Sequence, residues 1–207
     1  MTHIFLHGLG QGPDSWDGVL AAFPEQGECP DLTSFFAKGG AAYRDLYRGF
    51  CTWCEGKTPP LGLCGLSLGA VLALHYALDH PERVGALVLI APQYKVPKGL
   101  LKVQNVLFRL MPERAFAETG LGKGDMIALT NSMLELDFTP RLGELRCPTL
   151  VLCGEKDKTN AKAARELARL APGARFQAVP GAGHEVNRDA PAALAAAWAE
   201  FMKDCPQ

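Results

Sequence analysis

The chain lacks an excess of charge of either sign. Its 207 residues hold 21 Lys and Arg against 22 Asp and Glu, a formal net charge of -1. Nucleic acids and anionic membrane surfaces are met through a basic excess, so neither partner is expected. No stretch approaches the ~20 consecutive apolar residues of a membrane span. The start, Met1-Thr2-His3-Ile4-Phe5-Leu6-His7-Gly8, has no basic segment leading into a long apolar run and a small-residue cleavage site. It does not read as a signal peptide, and a cytoplasmic protein is expected. The seven cysteines are an odd number without secretory context, which excludes a disulfide framework. Cys51 and Cys54 form Cys-x-x-Cys, but no second pair at zinc spacing and no His pair accompany them. They read as packing residues of a helix. The Gly-rich stretch 8–12 contains neither a Gly-x-x-x-x-Gly-Lys-Ser/Thr pattern nor dinucleotide-fingerprint spacing. No metal or organic cofactor is implied, and there is no internal repeat.

What is present is ordinary in bulk. Hydrophobic residues make up 48% and charged residues 21%, values of a soluble globular protein. The length allows one domain with a good core and is short for two; oligomeric state leaves no mark on the sequence. Strand-like and helix-like runs alternate. Residues 3–6, 28–32, 61–66, 84–91, 148–153 and 174–179 read as strands. The run 84–91, Val-Gly-Ala-Leu-Val-Leu-Ile-Ala, is apolar throughout, as a strand covered on both faces must be. Residues 13–23, 41–54, 68–78 and 161–171 read as helices, with Asp14 or Ser15 capping the first and Thr159 or Asn160 the last of these. A final helix follows Asp189, its expected cap, and buries Leu194, Trp198, Phe201 and Met202. This rhythm predicts an α/β fold: about six mostly parallel strands with helices on both faces. Between residues 92 and 140 the rhythm breaks. Amphipathic helices over 99–110 and 125–136 predict a helical cap, residues 95–140, inserted within a single domain spanning 1–207. Lys95, Lys98, Lys102, Arg109 and Arg114 make its first half basic, either as a solvated helix face or as an attraction for an anionic substrate tail.

Chemistry points to residues 61–69, Leu-Gly-Leu-Cys-Gly-Leu-Ser-Leu-Gly. An apolar run enters Gly-x-Ser-x-Gly and a helix follows, which is the order of a nucleophile elbow: strand, sharp turn carrying a serine, helix. Gly65 and Gly69 are small where strand and helix pass closely, and Ser67 stands at the tip. Such a pattern also arises by chance in Gly-rich loops, so its partners matter. In parallel sheets the loops at the C-terminal strand ends build the site. Four loops satisfy this: His7-Gly8-Leu9, Ser67, Asp157 and His184. A serine hydroxyl needs a base within reach, and the base needs an orienting group. His184 follows the last strand and Asp157 the one before it. Glu155, Asp125 and Asp137 are rival acids, Glu155 the nearest. His75 and His80 lie on or just beyond a buried helix and read as structural.

With these residues in place the chain resembles the α/β-hydrolase superfamily over nearly its full length. The resemblance is carried by His7-Gly8 and its Gly-rich sequel, Gly65-Leu66-Ser67-Leu68-Gly69, His80-Pro81-Glu82-Arg83-Val84, Gly154-Glu155-Lys156-Asp157 and Gly183-His184. It implies Ser67 as nucleophile, His184 as general base, Asp157 as orienting acid, and an oxyanion hole from the backbone N–H groups of Leu9 and Leu68. The implied activity is hydrolysis of a small carboxylic ester or thioester, with a small-molecule acyl compound as substrate. Carbon–carbon bond cleavage with the same triad, or a non-catalytic small-ligand receptor, are the alternatives. The chain departs from the family in opening directly on the His-Gly strand, so the usual N-terminal hairpin is not expected. The segment 31–34 also lacks the Gly-x-Gly turn of many relatives, leaving the path from Asp31 to Ala41 open.

Overall fold

Alternation along each strand sorts the core into two layers. The computed structural model describes residues 1–23, 27–36, 40–96, 98–116 and 119–205. Its six strands are β1 (Thr2–Leu6), β2 (Gly27–Glu28), β3 (Leu61–Leu66), β4 (Val84–Ile90), β5 (Thr149–Gly154) and β6 (Arg175–Val179). They lie in the order β2-β1-β3-β4-β5-β6, and every neighbouring pair is parallel. Successive side chains point to opposite faces of a strand. Ile4, Leu63, Leu89 and Val151 therefore pack on one side with α2 (Tyr43–Glu55), α3 (Leu68–Asp79) and α6 (Ala161–Leu170). Phe5, Cys64, Val88 and Leu152 pack on the other, against Trp16, against Val19 of α1 (Asp17–Ala21), and against Leu194 and Trp198 of α8 (Pro191–Lys203). The chain leaves β1 toward β2 on one side and returns to β3 on the other. At such a reversal the connections diverge and open a crevice beyond the strand ends.

Three local expectations are corrected. The strand expected over 28–32 shrinks to Gly27–Glu28, because Pro30 has no N–H to donate to a ladder. Asp31 then starts a 3-10 helix, Leu32–Phe35, its carboxylate accepting the Thr33 N–H at 2.9 Å. Residues 37–39, on the path left open above, lie outside the described residues. Asp189 does not cap the last helix, which starts at Pro191 without a side-chain cap. It ends a short helix, α7 (Val186–Asp189), and accepts the Gly183 N–H at 2.7 Å. The caps expected at Asp14, Ser15, Thr159 and Asn160 are also missing: Gly12 precedes the first helical turn, and Asn160 stands before α6 without bonding its amides.

Between β4 and β5 the chain makes α4 (Lys98–Leu110), a 3-10 turn at Glu113–Phe116, and α5 (Lys123–Ser132). The two legs of this excursion join where Lys95 pairs antiparallel with Asp137. There the Phe138 N–H donates to the Tyr94 carbonyl at 2.8 Å. Among the described residues no helix is long and apolar enough to cross a membrane. All seven cysteines are free thiols. His75 stacks on Tyr47 with ring centroids 3.7 Å apart, and His80 packs on Tyr76 at 4.4 Å, so both serve packing.

Buried polar side chains hold the loops at the crevice. His7 Nδ1 donates to the Gly8 carbonyl at 2.9 Å and its Nε2 accepts the Leu32 N–H at 3.0 Å, which ties the loop after β1 to the turn after β2. Gln11 Oε1 accepts the Gly8 N–H at 3.1 Å and a proton of the Asn187 amide at 3.2 Å. Asn187 also donates to the Ser15 carbonyl at 3.1 Å. The loop after β1 is thus braced against α7, next to His184.

Two outcomes are expected. A Cβ at Gly69 would lie 2.2 Å from the Leu6 carbonyl oxygen, so Gly69→Ala should lower unfolding free energy in urea by about 3 kcal/mol or more. Burial lowers the pKa of His7, outweighing its hydrogen bond to Gly8 and the carboxylate of Asp31, and burial lowers that of His75 as well. The unfolded chain then takes up protons the folded chain refuses. The stability these residues contribute is present above about pH 6.5 and is lost as pH falls below it. Urea unfolding should show lower stability at about pH 5.5 than at about pH 7.5, and His7→Gln should flatten that dependence.

Candidate active site

Ser67 sits between β3 and α3 with φ 54° and ψ −109°. That is left-handed backbone for a residue with a Cβ, a strain of about 1–3 kcal/mol that the surroundings must hold. They do so through close approach. A Cβ at Gly65 would lie 2.2 Å from the Gly69 carbonyl oxygen, so neither glycine tolerates a side chain. The Ser67 N–H donates to the Ile90 carbonyl at 2.9 Å, and its own carbonyl accepts the Val71 N–H at 3.0 Å. The turn is locked to β4 on one side and to the helix on the other. Leu68 is the first residue of α3, where N–H groups have no partner within the helix and the dipole is positive.

Asp157 and His184 are brought together by a second close approach. A Cβ at Gly154 would lie 2.0 Å from the Gly183 carbonyl oxygen, and the Lys156 N–H donates to the Ala182 carbonyl at 2.9 Å. The loops after β5 and β6 are zipped by these contacts. His184 Nδ1 lies 2.8 Å from Asp157 Oδ2, with the Asp157 side chain 4% exposed and that of His184 43% exposed. A proton on Nδ1 donated to the carboxylate leaves Nε2 as the free acceptor. Burial pushes the Asp157 carboxyl up, but hydrogen bonds from His184 and Asn160 outweigh it and hold it below its ordinary range. Glu155 is turned away: it accepts the Gly181 N–H at 3.0 Å. Asp137 is paired with Lys95 at 2.9 Å. The Thr139 hydroxyl and Lys95 hold the Asp137 carboxyl down to about 2.

Ser67, Leu9, Leu68 and His184 line one cavity of about 450 Å3; Asp157 stands behind His184. Among the described residues Ser67 and His184 make no hydrogen bond to each other. Ser67, Gln93, Asn160 and His184 line it together with Val71, Val96, Leu101, Phe108, Phe116, Met126 and Met133, and Gln104 and Thr130 add polar atoms from α4 and α5. None of Lys102, Arg109 and Arg114 lines it, whereas Lys95 and Lys98 line an adjoining cavity that shares Gln93, Val96 and Thr159 with it. Among the described residues no group of three or more His, Cys, Asp or Glu is placed to hold a metal ion.

Two polar residues were not anticipated as part of the site. Asn160 Nδ2 donates to both Asp157 oxygens, at 3.0 and 2.8 Å, and its Oδ1 accepts from Gln93 Nε2 at 2.5 Å. An amide three residues after an acid is a pattern of local side-chain hydrogen bonding, so Asn160 left a trace in the sequence that its reading as a helix cap obscured. Gln93 left a weaker one: it follows β4, another C-terminal strand end.

A family profile described as "Alpha/beta hydrolase family" matches residues 4–197. The chain is 28% identical over 231 aligned positions to a Klebsiella pneumoniae protein named "Putative carbamate hydrolase RutD", covering 89% of this chain and 84% of that one. It is 26% identical to 2-hydroxy-6-oxo-6-phenylhexa-2,4-dienoate hydrolase of Burkholderia cepacia, over 87% of this chain and 80% of that one. In three dimensions it superposes on the enol-lactonase from Burkholderia xenovorans LB400 with a TM-score of 0.85 at 18% identity. That match covers 98% of this chain and 92% of the lactonase. A strand, strained serine turn and helix inside a six-stranded parallel sheet, matched by the profile over nearly its whole length, place the chain in the alpha/beta hydrolase family.

Proposed function

We propose that the chain is a serine hydrolase that cleaves a carboxylic ester or thioester with a largely apolar acyl group. The observation that carries this is the buried Asp157 carboxylate bonded to His184 Nδ1, with Ser67 on the same cavity in a strained turn. In this reading the chain is one domain, and residues 95–140 form a cap over its site. His184 Nε2 takes the Ser67 proton as Oγ attacks the carbonyl carbon, once bound substrate has brought the two groups into hydrogen-bond reach. The oxyanion is held by the N–H groups of Leu9 and Leu68, donors of a kind each worth about 3–4 kcal/mol of transition-state stabilisation. His184 returns the proton to the leaving oxygen or sulfur. A water deprotonated by His184 then releases the acid from Ser67. Asp157 keeps its charge and holds the imidazole in the tautomer the reaction needs. The cavity takes the acyl group against its apolar side chains, with the reacting carbonyl beside Ser67 and His184.

A second reading, cleavage of a carbon–carbon bond beside a ketone by the same residues, is favoured by the Burkholderia cepacia relative, whose name specifies a keto-dienoate rather than an ester.

A fluorophosphonate probe should label the chain at Ser67 and leave Ser67→Ala unlabelled. Mass mapping that places the label elsewhere, or no label, rules out the serine mechanism and favours a ligand receptor. Nitrophenyl esters of graded acyl length should be hydrolysed faster than by Ser67→Ala, with kcat/KM rising with apolar length until the cavity is filled. If only keto-dienoates are turned over, the carbon–carbon reading replaces the ester one. Asp157→Asn keeps the shape but removes the charge that fixes the tautomer, so kcat should fall by about 10^3-fold to 10^4-fold. Near-parental turnover would show that another acid orients His184.

A further inference from the structure

Helix α4 has two apolar stripes, and only one is used by the fold. Its inner stripe includes Leu101 and Phe108, which line the cavity. Asn105, on the same side, is buried and bonded to Asn131 and Thr130 of α5. Its outer stripe is Val103, Val106, Leu107 and Leu110, spaced as one helical face. These four are 58%, 51%, 55% and 78% exposed. Four aliphatic side chains on one face this open to water are unusual in a chain whose other large apolar residues are mostly buried. The stripe runs on to Met111, which is exposed and also lines the cavity.

Charge says what covers this stripe. Lys102 and Arg109 are seven residues apart, so they share one flank of it. Both are exposed, as is Arg114 just beyond. None of the three makes an ion pair among the described residues. Lys98 pairs with Glu135 at 2.8 Å, which leaves these three against one acid, Glu113, from residue 99 to 114. The patch is local, which is why a net charge of -1 hides it. An apolar ridge on a single helix with a basic flank is the pattern of a helix lying in a lipid interface. A stable protein partner needs about 800 Å2 per side, more than one exposed helix face supplies. Antiparallel pairing of α4 with its own copy would bring like flanks together and set Lys102 and Arg109 against themselves. We propose that the outer face of α4, Val103, Val106, Leu107 and Leu110 with Lys102 and Arg109 beside it, seats the protein on an anionic lipid surface. This does not depend on the reaction assigned to Ser67. It places the mouth of the cavity, marked by Met111, against the lipid.

The test is flotation of the full chain with vesicles of phosphatidylcholine alone and of phosphatidylcholine mixed with phosphatidylglycerol. Binding is expected to the mixed vesicles and to weaken in high salt as headgroup attraction is screened. Val106→Asp with Leu110→Asp should abolish it without changing the melting transition. Lys102→Glu with Arg109→Glu should weaken it by roughly tenfold or more. The second pair alters only exposed charge, so it decides the matter if the first pair fails to fold. The proposal is overturned if the parent protein binds neither vesicle or if both double variants bind as the parent does. It is equally overturned if sedimentation shows a dimer that Val106→Asp with Leu110→Asp dissolves while the parent ignores vesicles, because the face then joins two copies.

Discussion

Contact between the first turn of α3 and the backbone of β1 sets where Ser67 stands. Gly69 lies against the Leu6 carbonyl so closely that no side chain fits between them. Because α3 starts there, the chain must turn sharply out of β3, and that turn forces Ser67 into positive φ. The same approach brings the loop after β1, with Leu9, alongside the free N–H end of α3. One steric fact therefore fixes the serine, the helix terminus and the Gly-rich loop together. A second close approach, Gly154 against Gly183, does the equivalent for the acid and the histidine. The site is assembled from backbone packing, with side chains added at the points where loops leave the sheet.

The parts set by local chemistry were legible in the sequence. Buried parallel strands must be apolar runs, so 84–91 and 148–153 announced themselves, and the glycines at 65 and 69 marked the turn between β3 and α3. Boundaries were harder. Pro30 shortens the second strand to two residues, and a single strand-like run could not show that Asp31 would turn the chain into a 3-10 helix instead. Asp189 looked like a helix cap because acids often are, yet its partner is the Gly183 N–H across a loop. Asn160 failed in the opposite sense. Read as a cap, it is a donor to Asp157, and only the folded chain brings Gln93 to its other side.

The excursion between β4 and β5 was the least readable segment, for a physical reason. Amphipathic periodicity says that a helix has an apolar face but not what covers it. In α4 the inner and outer stripes are both apolar, and a count of hydrophobic residues cannot separate a face that lines a cavity from one open to water. The basic residues carried the same ambiguity: their charge was evident, but not that Lys102 and Arg109 flank the open stripe while Lys95 and Lys98 line a neighbouring cavity.

The seven free cysteines have a practical meaning. Burial pushes every one of their thiols up, to about 12 for Cys29 and Cys54 and about 11 for Cys147 and Cys153. Since the thiolate is the reactive form, burial disfavours reaction with thiol reagents at neutral pH, most for the five buried cysteines and less for the half-buried Cys29 and Cys51. A cysteine introduced at a fully exposed position would carry no such penalty and should react faster than the native seven, which is what attachment of a fluorophore at one chosen point requires.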